Sequence, residues 1–181
     1  KDVTEILTKV GSDLCTGLKD STAVVPLSSG YDSRLIAVLL KMNGFGNVIT
    51  FTYGRKDNPE IELSRKVAET LGFKWEFIEY NDNTIKDYLG SEDFRSYFPF
   101  SSSYTSMFYL QEYFAMKQLG QRLPGNSVMI PGHSGDTIAG SHICREVIGP
   151  SSKDVIVDKI ISKHFCMKTV SEKNRAVFAE M

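Results

Sequence analysis

Cysteine is scarce in this chain of 181 residues. The three cysteines, Cys15, Cys144 and Cys166, lie far apart in the sequence and form no C-x-x-C pair. This spacing excludes a disulfide framework and predicts reduced thiols in an intracellular protein. The sequence also lacks a starting methionine, and we therefore expect a piece of a longer chain.

Long apolar runs and an excess of charge are also missing. No apolar run approaches the roughly 20 residues that a membrane-spanning helix needs, and no signal-peptide pattern opens the chain. The formal net charge is −1, so no basic excess points to nucleic acid or to a membrane surface. We expect a cytoplasmic protein that binds neither. A hydrophobic content of 41% is enough for one globular domain with a substantial core.

The order of the apolar segments predicts an α/β protein. An amphipathic helix over 3–18 is followed by alternating strands and helices, which are predicted at 23–27, 31–42, 47–54, 59–72 and 73–80. This alternation is typical of a parallel sheet with right-handed crossovers, whose ligands lie beyond the carboxyl ends of the strands. Further along, we expect a serine-rich loop at 99–106, a helix from Met107 to Gly120 and a strand at 126–131.

The turn after the first strand has the features of an anion site. It reads S-S-G-Y-D-S at 28–33 and leads directly into an apolar helix. Unpaired N–H groups and the helix dipole favour anions at such a helix start, the serines add hydroxyl donors, and Gly30 permits a positive φ. Asp32 would repel a phosphate unless a divalent cation lies between them. The alternative is an ordinary strand–turn–helix corner in which Asp32 only starts the helix.

A second turn of the same design follows the strand predicted at 126–131. It reads P-G-H-S-G-D-T-I-A-G-S-H at 131–142. From ligand chemistry alone, a transition-metal site is conceivable, although the spacing matches no common zinc pattern; its ligands would be His133, Asp136, His142 and Cys144. The other interpretation of His142 and Cys144 is that they are ordinary packing or surface residues.

Together the two turns resemble those of the PP-loop ATP pyrophosphatases, in particular the asparagine synthetase and β-lactam synthetase branch. The segment 28–33 resembles the pyrophosphate loop S-G-G-x-D-S, with Ser29 in the place of its first glycine. The second turn resembles S-G-E-G-x-D-E-x-x-G-G-Y, with Gly132, Asp136 and Gly140 in register. His133 and Thr137 stand where that motif has glutamates. The resemblance covers residues 21–144.

This resemblance implies a fold and a reaction. The fold is a parallel sheet with helices on both faces, an adenine nucleotide alpha hydrolase-like three-layer sandwich over 1–150, followed by a truncated helical extension over 151–181. The reaction is adenylation of a substrate carboxylate by ATP with Mg²⁺, followed by amide formation with ammonia or an amine. A glutaminase domain, absent from this chain, is expected in the parent protein.

The resemblance also implies site residues. Asp32, His133 and Asp136 are the expected catalytic residues, with His133 handling protons in place of a glutamate. Asp32 and Asp136 are the expected Mg²⁺ ligands. The residues expected to bind ATP and its pyrophosphate are Leu27, Ser28, Ser29, Gly30, Tyr31, Asp32, Ser33, Thr52, Tyr53 and Gly132.

Two other functions stay open on the sequence. A PP-loop enzyme that modifies nucleotides or tRNA would share the first turn. A degenerate module that binds a nucleotide without catalysis is compatible with the replacements at 29, 133 and 137.

Overall fold

The computed structural model describes residues 2–102, 110–133, 152–164, 171–172 and 175–176. The chain divides into two units, Lys1–His133 and Ser134–Met181. The described part of the second unit contains helix α7, Lys153–His164, and an ion pair between Arg175 and Asp158. The domain boundary predicted at 150 stays a prediction, and the fold described below is that of the first unit.

The first unit alternates helices and strands. Its elements are α1 (Val3–Leu18), β1 (Thr22–Pro26), α2 (Tyr31–Met42), β2 (Val48–Gly54), α3 (Glu60–Leu71), β3 (Lys74–Glu79), α4 (Asp82–Ile85), α5 (Glu92–Ser102), α6 (Tyr113–Leu119) and β4 (Ser127–Met129). Short 3₁₀ turns lie at Tyr88–Gly90 and Gly120–Arg122. The helices and strands predicted up to residue 80 are confirmed to within one residue at their ends.

The four strands form a parallel sheet in the order β3-β2-β1-β4. β1 is central, and its residues Ala23, Val24 and Val25 are at most 1% exposed. Its β-branched and small side chains alternate between two cores, as strand geometry requires. Because all pairs are parallel, the carboxyl ends of the strands lie at one edge of the sheet.

Helices cover both faces of the sheet. On one face, Val25 packs with Ala37 of α2 and Ala68 of α3, and Leu14 of α1 packs against this core. On the other face, Val24 and Phe51 pack with Ala115 and Leu119 of α6. The predicted arrangement of a parallel sheet between two helical layers is thus confirmed.

Helix α3 begins and ends where the sequence predicts. Pro59 is the residue before its first turn, and Gly72 ends it with φ +71°, a left-handed conformation that suits glycine. The Gly72 N–H donates to the carbonyls of Ala68 and Glu69, which would otherwise lack partners.

The loop predicted at 99–106 is wrong over 99–102, because these residues form the last turn of α5. The hydroxyl of Ser102 donates to the carbonyl of Phe98 at 2.7 Å, and Phe98 packs on Phe94 with ring centroids 5.7 Å apart. Aromatic packing therefore keeps a helix that Pro99 would disfavour. The next predicted helix is also displaced, since α6 begins at Tyr113, and 103–109 lie outside the described residues.

Among the residues that the structure describes, no helix is long and apolar enough to cross a membrane.

Candidate functional site

The candidate site lies where the direction of the chain through the sheet changes. From β1 the chain passes to β2 on one side, whereas β4 lies on the other side of β1. The segments that leave β1 and β4 therefore lie at the same edge of the sheet. The two predicted turns are these segments.

Hydrogen bonds fix the end of β1 to its neighbours. Leu27 is 2% exposed, and its N–H donates to the carbonyl of Phe51 at 2.8 Å. Its own carbonyl accepts from the hydroxyl of Thr52 at 2.8 Å, and that hydroxyl accepts from the indole N–H of Trp75 at 3.0 Å. The Thr52 hydroxyl thus holds the base of the first turn, and the predicted nucleotide contact of Thr52 stays a prediction.

Serine hydroxyls close the first turn onto α2. The N–H of Ser28 donates to the Ser33 hydroxyl at 3.0 Å, and the two hydroxyls are also 3.0 Å apart. The N–H of Gly30 donates to the Ser28 hydroxyl at 3.1 Å. Ser33 is buried, whereas Ser28 and Gly30 are exposed at the edge of the sheet. Ser33 is therefore the internal anchor of a turn whose outer surface faces solvent.

Ser33→Ala is expected to lower the free energy of unfolding by about 1–3 kcal/mol, because it removes the acceptor of the Ser28 N–H from a part-buried site. Urea unfolding measures this change. Ser96→Ala is the matched control, since the exposed Ser96 hydroxyl bonds only within its own helix, to the carbonyl of Asp93. Equal losses in the two variants would contradict the anchoring role.

Gly30 does not use the positive φ that a glycine permits. Gly30 has φ −66° and ψ 156°, an extended conformation that any residue adopts before a helix. The turn needs no left-handed residue here because the two serine hydroxyls close it. Ser29 has no positive φ either, since Lys19 and Asp87 are the non-glycine residues with that conformation in the described part of the chain. A serine in place of the first motif glycine therefore costs no backbone strain.

The first turn of α2 is open to an anion. No side chain caps it, and Asp32 lies half-buried in this turn. One carboxylate beside uncapped N–H groups is a donor set suited to Mg²⁺ that also binds phosphate oxygens. The metal-binding role of Asp32 stays a prediction, to which its place in an uncapped helix turn is suited.

Arg34 brings a positive charge to the same turn, and no motif in the sequence had indicated it. Its Nε donates to the carbonyl of Gly30 at 3.1 Å, and its guanidinium lies 4.5 Å from the ring centre of Tyr31. Tyr31 itself is 84% exposed. The i, i+3 and i, i+4 spacing of these residues on a helix was the signal that could have revealed the contact.

Gly132 brings the second turn into contact with the first. A Cβ atom at Gly132 would lie 2.8 Å from the backbone nitrogen of Ser33 and 3.1 Å from the carbonyl carbon of Asp32. Such distances leave no room for a side chain. The glycine of the second motif thus lets the chain after β4 pack directly on the peptide between Asp32 and Ser33.

His133 lies next to this contact, exposed at the edge of the sheet. Its Nε2 is 3.7 Å from a carboxylate oxygen of Glu112, which precedes α6 and which the sequence did not indicate. The remaining predicted residues lie outside the described part of the chain; these are Asp136, Thr137, Gly140, Ser141, His142 and Cys144. The second Mg²⁺ ligand and the alternative transition-metal site therefore stay predictions.

Tyr53 and two cavities border the site. The ring of Tyr53, at the end of β2, stacks on Tyr80 with centroids 5.3 Å apart. Beyond β2 and β3 lies a cavity of about 320 Å³, lined in part by Arg55 and Lys56. Between α2 and α3 a more apolar groove of about 590 Å³ reaches the first turn at Asp32. The groove thus adjoins the first turn, whereas the cavity lies at the ends of β2 and β3.

The parallel sheet, with its serine-rich turn and the glycine contact beside it, is that of the PP-loop ATP pyrophosphatases, a class of ATP-using ligases and synthetases. Within this class, the asparagine synthase family matches residues 18–151, and the chain belongs to that family.

Two individual proteins are similar to this chain. The 7-cyano-7-deazaguanine synthase of Kineococcus radiotolerans is 36% identical over 67 residues, which cover 36% of this chain and 29% of that protein. The chain thus matches less than a third of the length of this curated relative. An NH3-dependent NAD synthetase from Campylobacter jejuni, solved in complex with the nitrate ion, has 15% identity and a TM-score of 0.47, over 98% of this chain and 90% of that one.

Proposed function

We propose that this chain adenylates a substrate carboxylate with ATP and then forms an amide with ammonia or an amine. The observation that carries the proposal is the packing of Gly132 on the Asp32–Ser33 peptide, within the region that matches the asparagine synthase family. This contact brings together the two turns from which the expected ligands of ATP and Mg²⁺ come.

The first turn would bind the pyrophosphate that leaves in the adenylation step. A carboxylate oxygen of the substrate attacks the α-phosphorus, and the bond from this phosphorus to pyrophosphate breaks. The uncapped N–H groups of α2 and the exposed hydroxyl of Ser28 can donate to the departing oxygens, while Ser33 holds the turn closed. The fixed guanidinium of Arg34 adds a positive charge beside them.

Asp32 would hold Mg²⁺ at this turn, together with Asp136. When bound, the ion would offset the negative charge of the phosphates. In the second step, His133 would take the proton that the attacking amine loses. The position of His133 at the edge of the sheet, one residue after the Gly132 contact, supports this role.

The surroundings of the reaction are part of the proposal. Ammonia would come from a glutaminase domain elsewhere in the parent chain, and the reaction would take place in the cytoplasm without a nucleic-acid partner. The free thiol of Cys15 fits a reducing compartment. Burial raises the pKa of this thiol, which makes it a poor nucleophile and suits packing rather than chemistry.

A second candidate function follows from the match to a 7-cyano-7-deazaguanine synthase. In that case the substrate would be a nucleobase carboxylate instead of an amino acid. Both candidates would use the same turns, and they differ in the substrate and in the product, since a cyano group is a nitrile and not an amide.

Calorimetry with ATP and pyrophosphate, with and without Mg²⁺ and with GTP as control, tests the shared part of the proposal. We expect Mg²⁺-dependent binding of ATP and binding of pyrophosphate. The rate at which labelled pyrophosphate exchanges into ATP then distinguishes the two candidate functions. A rate that rises with aspartate or another amino acid supports amide synthesis. A rate that rises with a nucleobase carboxylate supports the second candidate. Binding without any exchange would indicate a module without catalysis, and no binding by folded protein would contradict the proposal.

A further inference from the structure

Tyr80, the residue after β3, holds the segment before α6 in place through hydrogen bonds. The Tyr80 hydroxyl donates to the carbonyl of Gln111 at 2.7 Å and accepts from the N–H of Ala115 at 2.8 Å. These two bonds hold the backbone on both sides of Glu112. The Tyr80 ring is itself stacked on Tyr53. Glu112 therefore lies on a fixed segment, with its carboxylate at a defined place beside the second turn.

Glu112 and His133 differ in exposure. The distance of 3.7 Å between Nε2 of His133 and Oε1 of Glu112 is that of an ion pair and is longer than a hydrogen bond. The Glu112 side chain is 19% exposed, whereas that of His133 is 62% exposed. The carboxylate is thus mostly shielded by protein, while the imidazole reaches a substrate or solvent. A partly shielded pair interacts more strongly than one in open water.

Near this pair, among the residues that the structure describes, two further titratable groups are Tyr80 and Asp32. Burial raises the pKa of Tyr80 to about 12, and the negative charge of Glu112 adds to this rise, so the phenol stays neutral at physiological pH. Asp32 lies in the turn that Gly132 contacts, and by the proposed function its charge is offset by Mg²⁺. Glu112 is therefore a negatively charged partner of the His133 ring within the described part of the chain.

We infer that Glu112 is a positioning residue for His133, orienting its imidazole and stabilising the imidazolium that forms during amide synthesis. This inference rests on the proposed function. The nitrogen lone pair of the amine forms the C–N bond at the acyl carbon, and the C–O bond to AMP breaks with AMP keeping the electron pair. The proton lost by the amine nitrogen goes to His133, and the new positive charge lies opposite Glu112.

The inference also accounts for a departure from the family motif. The motif has a glutamate at the position of His133. In this chain an imidazole takes that position in the turn, and a carboxylate from the start of α6 lies 3.7 Å from it. The pair keeps a proton acceptor and a negative charge at this edge of the sheet, although each comes from a different residue than in the motif.

Carbethoxylation by diethyl pyrocarbonate tests the pair without any substrate, because only the neutral imidazole reacts. Mass spectrometry on the full chain gives the rate at each histidine. Glu112→Gln is expected to raise the rate at His133 by about twofold to threefold at pH 6, the size expected for a partly exposed pair, because the variant lacks the carboxylate that faces the ring. At pH 8, where an ordinary imidazole is uncharged and forms no ion pair, the rates should agree.

The controls separate this effect from others. His142 and His164 are internal references in the same sample, and Glu62→Gln removes an equal charge from the exposed surface of α3. Equal rates at His133 at pH 6 in Glu112→Gln and in the parent chain would overturn the inference. A change of the same size at both pH values would also overturn it, since that result indicates steric shielding. If Glu112→Gln does not fold, Glu112→Asp, with a shorter reach, should shift the rate in the same direction.

Calorimetry with MgATP on the same proteins distinguishes a failure of this inference from a failure of the proposed function. Glu112→Gln should bind MgATP as the parent chain does, because the pair lies outside the first turn. An altered rate at His133 together with retained binding supports the inference. A parent chain that does not bind MgATP would overturn the proposed function and, with it, the role of the pair in amide synthesis, whatever the rates at His133.

Discussion

Asp32→Asn is expected to lower the affinity for MgATP by about 100-fold or more and to leave the weaker binding of metal-free ATP almost unchanged. Loss of a residue that only supports a metal ligand costs roughly 10–100-fold in metal affinity, and loss of the ligand itself should cost at least as much. The amide keeps the size of the side chain in the first turn of α2 but removes its negative charge. Calorimetry with and without Mg²⁺ measures both affinities.

Asp13→Asn is the matched control for Asp32→Asn. Asp13 lies on the exposed side of α1, where its carboxylate pairs only with Lys9, so the control removes the same charge far from the turn. Its affinity for MgATP should equal that of the parent chain. Unchanged MgATP affinity in folded Asp32→Asn would show that Asp32 is no metal ligand, and equal losses in both variants would indicate an effect of net charge alone.

The second large effect is expected at Gly132. Gly132→Ala places a methyl group 2.8 Å from the Ser33 nitrogen and 3.1 Å from the Asp32 carbonyl carbon, both of them backbone atoms that cannot rotate away. Forcing an extra methyl group into such a contact costs about 1–3 kcal/mol of stability. The turns must also separate, which displaces the uncapped N–H groups of α2. We therefore expect lower MgATP affinity together with a lower melting temperature.

Gly125→Ala gives the comparison for this prediction. A Cβ at Gly125 meets nothing within 4 Å, so its replacement should leave stability equal or slightly raised. Thermal unfolding and calorimetry on the two variants, measured side by side, test the contact. Wild-type stability and MgATP affinity in Gly132→Ala would contradict the close approach of the two turns.

The sequence predicted those parts of the fold that depend on local signals. Alternating apolar segments, Pro59 before α3 and Gly72 after it specify elements with few alternatives, and they were found as expected. Helix α5 was missed because its serines and Pro99 favour a loop locally, whereas packing between Phe94 and Phe98 favours the helix. Contact between side chains four residues apart on the helix thus outweighed the preferences of single residues.

The residues of the candidate site also fall into those that a sequence motif indicates and those that it does not. Asp32 and Gly132 could be predicted because each belongs to a motif with a fixed spacing. Arg34 and Glu112 could not, because their relation to the site depends on where a helix surface or a distant segment comes to lie. Gly30 shows a third case: its motif position was predicted, but its conformation was not, because serine hydroxyls close the turn.

Two hydrogen bonds, from Trp75 to Thr52 and from Thr52 to Leu27, connect a tryptophan to the first turn, so its fluorescence can report on that turn. Trp75 is the one tryptophan in the sequence, and its indole is two hydrogen bonds away from the residue that begins the first turn. Excitation of indole therefore samples a single position, whose emission depends on the hydrogen bond to Thr52. Stopped-flow measurement of tryptophan fluorescence can therefore follow movement of the turn on ligand binding, with no label added to the chain.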